Sequence, residues 1–419
     1  MSRFRALQHR NFQLFFFGQL ISLIGTWMQS TAQLWLVYKL TGSAALLGLF
    51  GFANQIAILL LASVGGYIGD RYNRHLGVIW TQSVSMVLAF LLAALTLAGV
   101  IRVWELIFIA FLTGVVNAFD IPIRQAFLVQ MVGKADLPNA IALNSSIFNA
   151  ARVVGPAVGG LAIAFFEARH VRSSEGWCFL LNGVSFVAVL VALLAMRLAK
   201  HEQKAPQGSP FRNFVDGYRF AMSDFPIRSA LLISSLLSLL GFQYSVFMPI
   251  FAKDILHSGA RGFGLLMSAG GVGATLGALQ FAARTSYKGL AKWIAAMASI
   301  CSVGVIVFSQ SKVFWLSAAV LFAVGFAATS QLAATNTTVQ NRVPDALRSR
   351  VMAVYATMFM GVQPLGALLA GGLAKHLGAP LTLALFGSVC LAGSLVYVAR
   401  AVFRVQNTGG AEAQVPTGT

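Results

Sequence analysis

Asn117, Asp120 and Arg124 stand at i, i+3 and i+7 inside an otherwise apolar run, so on a helix they share one face. A second cation, Arg152, stands near the middle of the next apolar run. A charge at the centre of a lipid-embedded helix costs roughly 2.5–3.5 kcal/mol on insertion scales, so Asp120 and Arg152 need partners or water. Two readings fit these residues. In the first, Asp120 pairs with Arg124 or Arg152 and holds two helices together. In the second, Asp120 takes up and releases a proton, and Arg152 is a substrate or coupling group. The two are compatible, because an ion pair that breaks and reforms is a switch.

Other polar groups interrupt apolar runs. Thr26, Gln29, Ser30 and Gln33 lie between Trp27 and Trp35, Gln243, Tyr244 and Phe247 precede Met248-Pro249, and Gln331, Asn336, Thr337 and Gln340 follow one another late in the chain. Amides mixed with aromatics suit a large amphipathic ligand, and they serve equally well as hydrogen bonds between helices. No phosphate-binding glycine loop, HExxH pair or nucleophile elbow occurs, so neither ATP-driven transport nor membrane hydrolysis is supported, and the chain does not read as an enzyme. Cys178, Cys301 and Cys390 lie in separate apolar runs and the six histidines at span ends or loops, so no metal site is expected.

The elements that carry these groups are set by composition. Of 419 residues, 58% are hydrophobic and 10% charged, with a mean hydropathy of +0.77, so the solvent is lipid. Apolar runs at 12–38, 44–69, 76–99, 104–128, 138–165 and 176–197 are followed by runs at 229–251, 262–284, 289–310, 313–340, 350–374 and 378–400. They are too long for barrel strands, which predicts twelve transmembrane helices in an all-α membrane protein. Arg3, Arg5 and Arg10 precede a first run that is too long for a signal peptide and stays as the first helix. Most Lys and Arg fall in segments on the side of the N-terminus, which predicts both termini in the cytoplasm. The net charge of +18 is therefore a topology signal that also favours anionic lipid headgroups. With no continuous basic face, it does not indicate nucleic acid.

Residues 1–197 form one six-helix unit and 229–402 a second. Between them, 198–228 reads as a linker followed by an amphipathic helix. There Phe211, Phe214, Val215, Tyr218, Met222 and Phe225 share a face at the membrane interface, and the helix is stopped by Pro226. Residues 403–419 read as a disordered tail. Gly159-Gly160-Leu161-Ala162 returns as Gly371-Gly372-Leu373-Ala374, and Gln130 with Leu137 returns as Gln340 with Leu347, which predicts a six-plus-six duplication with a site near the midplane. The glycines at 264, 270, 271, 273 and 277 read as packing positions, and glycine-rich faces used this way are consistent with a monomer.

Gly66-Tyr67-Ile68-Gly69-Asp70-Arg71-Tyr72-Asn73-Arg74-His75 is a tight polar turn between the second and third runs, with Asp and Arg able to reach neighbouring helix ends. It resembles the loop signature of the major facilitator superfamily of secondary transporters. Gly155-Pro156 with Gly159-Gly160 in the fifth run resembles the motif that marks exporters and antiporters there, although these glycines also read simply as a packing and kink motif. Pro122-Ile123-Arg124-Gln125 and the 343–350 segment are similar to the enterobactin-exporter and transmembrane secretion effector branch. The resemblance implies two pseudo-symmetric six-helix bundles and alternating access. It also implies proton-coupled export of siderophores, macrolides or related amphiphiles from the inner membrane, with the proton gradient rather than a cofactor as energy source. An uptake permease or lysolipid flippase of the same fold is the alternative. It further implies that helices 1, 4, 7 and 10 line the cavity, which makes Trp27, Gln29, Gln33, Asn117, Gln243, Phe247, Gln331 and Asn336 candidate substrate contacts. Gly66, Asp70, Arg71 and Arg74 would then form a latch that stabilises the outward-facing state at the helix 2–helix 11 interface, with Arg350 as neighbour.

Overall fold

A computed structural model describes residues 4–197, 210–284, 286 and 289–409, without the side chains of residues 63, 67, 69, 70, 210–213, 346 and 401–409. All regular secondary structure among the described residues is helical, as lipid requires of a chain that must satisfy its backbone hydrogen bonds internally. The N-terminal half contains α1 (Arg10–Thr41), α2 (Ala44–Arg71), α3 (Arg74–Leu97), α4 (103–132), α5 (134–168) and α6 (Ser174–Leu194). The short amphipathic α7 (Pro210–Ser223) follows. The C-terminal half contains α8 (Phe225–Ile255), α9 (Gly259–Ala282), α10 (Leu290–Gln310) and α11 (Phe314–Arg342). One further span divides into α12 (Asp345–Met360) and α13 (Gln363–Leu377), and α14 (Ala379–Gly409) closes the chain.

Ten helices among the described residues are long and apolar enough to cross a membrane. One of the ten, Val103–Ala168, is two passes, because the chain leaves helical geometry at Gly133 (φ 72°, ψ 178°), a conformation open to glycine. Its partners show the reversal. Asn54 and Gly65 of α2 meet Gly114 and Ala118 in that order, so α4 runs parallel to α2. Ala6, Met28 and Lys39 meet Asn139, Gly159 and Glu167 in that order, so α5 runs parallel to α1. With α1, which packs among the spans, the passes number twelve. The chain is an all-α, multi-pass membrane protein, and both termini lie on one side.

The two halves repeat one another at backbone level. A Cβ on Gly114 would lie 2.2 Å from the Asn54 carbonyl oxygen, and one on Gly325 would lie 2.0 Å from that of Gly270. The first contact joins α4 to α2 and the second joins α11 to α9, so Gly114 and Gly325 are equivalent. The halves meet along two seams that are copies of each other. In one, Gly160 of α5 lies against Gly264 of α9. In the other, Gly371 of α13 lies against Gly48 of α2, and in both a built Cβ would come within 3 Å of the facing Cα. The repeat legible in the sequence, Gly159-Gly160 with Gly371-Gly372, thus marks the two seams. The α9 glycines do pack: Gly271 faces the Arg152 backbone of α5, and Gly273 and Gly277 face the Phe322 and Phe326 carbonyls of α11.

Both seams lie toward the end away from the termini. There the ring of Trp35 on α1 stacks on Phe263 at 5.8 Å, and the Tyr38 hydroxyl donates to the Asp254 carboxylate across the halves. At the terminus-bearing end the contacts among described residues stay within one half: His9 with Asp136 at 2.8 Å, Asn11 with Arg197, and Arg342 with Asp224 at 3.2 Å. The molecule is sealed at the far end and parted at the end that carries the termini.

Three boundaries differ from the sequence reading. Pro226 does not stop α7, which ends at Ser223. Asp224 then caps α8 by accepting from Ile227 N at 3.0 Å, with Pro226 in the first turn of α8, where a missing N–H costs nothing. The apolar face of α7 is turned to protein as well as to the interface: Phe214, Phe220, Ala221 and Met222 pack with Val339, Val351 and Val354 of α11 and α12. Helix α14 continues through Gly409, so residues 403–409 are helical and not tail, while 410–419 and the linker 198–209 lie outside the described residues.

The equivalence of Gly114 and Gly325 makes a prediction. Gly114→Ala and Gly325→Ala should each destabilise the protein by about 1–3 kcal/mol, because neither backbone neighbour can yield. Gly66→Ala, with nothing within 4 Å of its built Cβ, should be neutral or slightly stabilising. Thermal melts of the purified protein in detergent measure all three.

Candidate functional site

Helix α4 carries Asp120 into the interior of the N-terminal half, where the residue is 3% exposed. Its Oδ2 lies 3.1 Å from Arg124 Nε one turn along the helix. Its Oδ1 accepts from Thr81 Oγ1 at 2.7 Å and from Gln82 Nε2 at 2.9 Å, both on α3. Arg124 Nη1 in turn donates to Gln19 Oε1 of α1 at 3.1 Å. One carboxylate and one guanidinium therefore bind three helices through charge-assisted bonds, the stronger kind in a low dielectric. Of the pairings open in the sequence, the structure makes Asp120–Arg124 and not Asp120–Arg152. Gln19, Gln82, Asp120 and Arg124 line a small polar pocket together with Gln29, Asn117 and Asn182.

The C-terminal half holds the equivalent place without charge. Counting six and ten residues on from the paired glycines, Asp120 and Arg124 correspond to Gln331 and Thr335. Gln331 is fully buried, and its Nε2 lies 2.8 Å from Ser234 Oγ and 3.1 Å from Thr335 Oγ1. Its Oε1 has no partner. The internal duplication has kept the geometry and dropped the charge.

Between the halves, beneath the far-end seal, lies a partly open cavity of about 670 Å³. Trp27, Gln33, Phe50, Asn54, Gln55 and Phe263 are among its walls, an uncharged mixture of aromatic rings and amides. Of the eight residues read from sequence as substrate contacts, the structure places Trp27 and Gln33 here. The other six have different work. Gln29 accepts from Asn182 Nδ2 at 2.8 Å inside the N-terminal half, and Asn117 lines the pocket of Asp120. Gln243 sits where α8 loosens into a 3₁₀ turn and donates to the Ser238 and Leu239 carbonyls at 3.1 and 3.0 Å, satisfying acceptors that the break would leave bare. Phe247 is wholly buried in the core, Gln331 is held as above, and Asn336 accepts from Gln340 on its own helix.

The latch residues divide. Gly66 faces open space, and Arg74 donates to the Ala126 carbonyl of α4 at 3.2 Å. Arg71 ends α2, and the side chain of Asp70 lies outside the described residues. In this conformation Arg350 Nη1 lies 2.9 Å from Asp216 Oδ2 on α7. In α5, Gly155 and Gly159 lie against Trp27 and Met28 of α1, and Gly160, with the Pro156 carbonyl, lies against Gly264, so these residues form helix contacts.

The transmembrane secretion effector family model matches residues 1–416. The chain belongs to that family. It is a membrane transporter of the major facilitator fold, not an enzyme. The family member is 25% identical over 394 residues to the staphyloferrin A transporter of Staphylococcus aureus (strain NCTC 8325 / PS 47), covering 92% of this chain and 96% of that one. It is 22% identical over 375 residues to the enterobactin exporter EntS of Shigella boydii serotype 4, covering 87% and 85%. Among solved structures, the nucleoside transporter NupG superposes with a TM-score of 0.73 at 14% identity, covering 94% of this chain and 99% of that one, which shows the shared fold.

Gln19, Thr81 and Gln82 complete the charge network of this transporter and were missed in the sequence. The only signal was a hydrogen-bonding side chain inside an apolar run, which is expensive in lipid unless it has a partner. Removing either charge should expose the dependence. Asp120→Ala or Arg124→Ala should each lower stability by about 3–5 kcal/mol, as expected when one partner of a buried pair is deleted. The double variant should lose less than the sum, measured as a double-mutant cycle of thermal melts.

Proposed function

We propose that the protein is a secondary active exporter of an amphipathic small molecule, driven by proton entry through Asp120. In this reading it works by alternating access in the inner (plasma) membrane, with both termini in the cytoplasm. The observation that carries the reading is the placement of the sole described carboxylate pair within the membrane interior. Asp120 is buried with Arg124 in one half, and the equivalent place in the other half is an uncharged Gln331–Ser234–Thr335 cluster. A proton on Asp120 removes the counter-charge of Arg124 and weakens the bonds to Thr81 and Gln82, so protonation loosens α3 and α1 from α4. A group that titrates in one half alone gives the cycle a point at which proton and substrate can compete for the same rearrangement.

The Lys and Arg distribution supports placing the terminus-bearing end inside, which makes this conformation inward-facing. Export is supported by the Gly155-Pro156 motif and by the relative named as an exporter of enterobactin. The glycine faces of α5, α9 and α13 are used in contacts within the chain, which supports a monomer.

The test is lumenal pH in proteoliposomes during addition of siderophores, macrolides and lysolipids. The wild type should acidify or alkalinise the lumen with at least one of these, in the direction of antiport. Asp120→Asn should abolish that signal while still binding the same compound. Proton-linked flux that survives Asp120→Asn, or flux in the uptake direction, overturns the reading.

A further inference from the structure

Arg152 is the intramembrane cation that the charge network leaves out. It stands about 25 Å from either end of α5 at 1.5 Å per residue, which puts it at the middle of a helix that overspans the roughly 30 Å hydrocarbon core. Its side of the helix is opposite Val154, Val158, Leu161 and Phe165, the exposed apolar face, so it turns away from lipid. The flanking contacts fix what it faces. Gly155, one turn on, lies against Trp27 of α1, and Phe148, one turn back, meets the Trp27 ring edge-on at 5.8 Å. The next carbonyl, that of Val153, accepts from Ser268 Oγ of α9 at 2.6 Å. Tyr244 of α8 is within electrostatic reach of the guanidinium. Arg152 therefore stands between α1, α8 and α9 beside the cavity that Trp27, Ser245 and Met267 line.

No hydrogen bond or ion pair joins the Arg152 side chain to another described residue. The described acids are already engaged: Asp120 with Arg124, Asp136 with His9, Glu167 and Glu175 with Lys39, Asp216 with Arg350 and Asp224 with Arg342. Asp254 accepts from Tyr38, Asp345 pairs with Arg348, and Glu105 accepts from the Arg102 N–H at its helix start. A guanidinium presents five donors and cannot shed its proton, so at the bilayer centre it is a standing demand for an anion.

We propose that the substrate is an anionic amphiphile whose acidic group is bound by Arg152, with its apolar part against Trp27, Phe50 and Phe263. This rests on the transporter reading and assigns its substrate class. The acid is a carboxylate or a phosphate ester, free or on a lipid headgroup. A bidentate fork from Arg152 receives either one, and the amides of Gln33, Asn54 and Gln55 fit the uncharged polar groups of the same ligand.

The experiment is equilibrium binding to full-length protein in nanodiscs. The probes are aromatic carboxylic acids paired with their own methyl esters, and lysophosphatidylglycerol paired with lysophosphatidylcholine. Acids should bind about tenfold or more tightly than their esters, the range expected of a charge-assisted hydrogen bond. Arg152→Gln should erase that preference, and Arg152→Lys should keep part of it. Preference for lysophosphatidylglycerol alone, with the same dependence on Arg152, supports the anion site and assigns it to lipid. Esters or cations that bind as well as acids, or an acid preference that survives Arg152→Gln, overturn the proposal. A stability measurement separates this role from a structural one. Arg152→Gln should leave the melting temperature unchanged or raised, and a clear fall overturns the absence of an internal partner. Proton-linked flux of neutral or cationic compounds only would defeat the anion site and leave the exporter intact. Loss of flux for every compound would defeat the exporter itself.

Discussion

The contact between the two halves is organised around four glycines that let backbone meet backbone. Gly160 against Gly264 and Gly48 against Gly371 bring helices closer than any side chain permits. Lipid supplies no hydrophobic drive to press helices together, so close packing and backbone dipoles must hold the seams. The two seams are exchanged by the duplication, which puts the line of contact on the axis relating the halves. At the glycines themselves no side chain stands between the helices, so the seams resist separation while leaving room for one half to roll on the other. That is the mechanical property a two-state carrier needs between its moving parts.

The duplication is a symmetry of backbone and not of chemistry. Equivalent glycines and equivalent hydroxyl or amide positions persist in both halves, while carboxylate and guanidinium persist in one. The C-terminal copy holds an uncharged Gln331–Ser234–Thr335 cluster at this place, with Gln331 Oε1 left without a partner. Ionised residues at the matching N-terminal positions therefore carry a cost that helix packing alone does not require. That excess is the physical ground for proposing that they take part in the transport cycle.

Much of this was legible in the chain. Run lengths gave twelve passes, although the fourth and fifth are joined so tightly at Gly133 that they form one nearly continuous 66-residue helical stretch. The Gly159-Gly160 repeat marked both seams, and the sequence left Asp120 two cationic partners, Arg124 and Arg152, of which the structure pairs the first. What sequence left open was the direction of side chains on helices buried all round. Such helices have almost no amphipathic signal to show which face meets a cavity and which meets a neighbouring helix. Gln29, Gln243 and Gln331 were therefore read as substrate contacts and proved to be internal donors and acceptors. The partner of Arg350 was not legible either, since it depends on which end of the molecule is open; in this conformation it is Asp216.

The position of Arg152 has an electrical consequence. A fixed positive charge at the bilayer centre shifts its place in the transmembrane field whenever access moves from one face to the other. With an acid bound, the site is neutral and that movement carries no net charge. With the cavity vacant, the same movement transports a positive charge across much of the potential, worth about 2.3 kcal/mol per 100 mV for a full crossing. In the proposed export cycle an inside-negative membrane would draw the vacant, protonated carrier back toward the cytoplasmic-facing state, making the return stroke voltage-dependent.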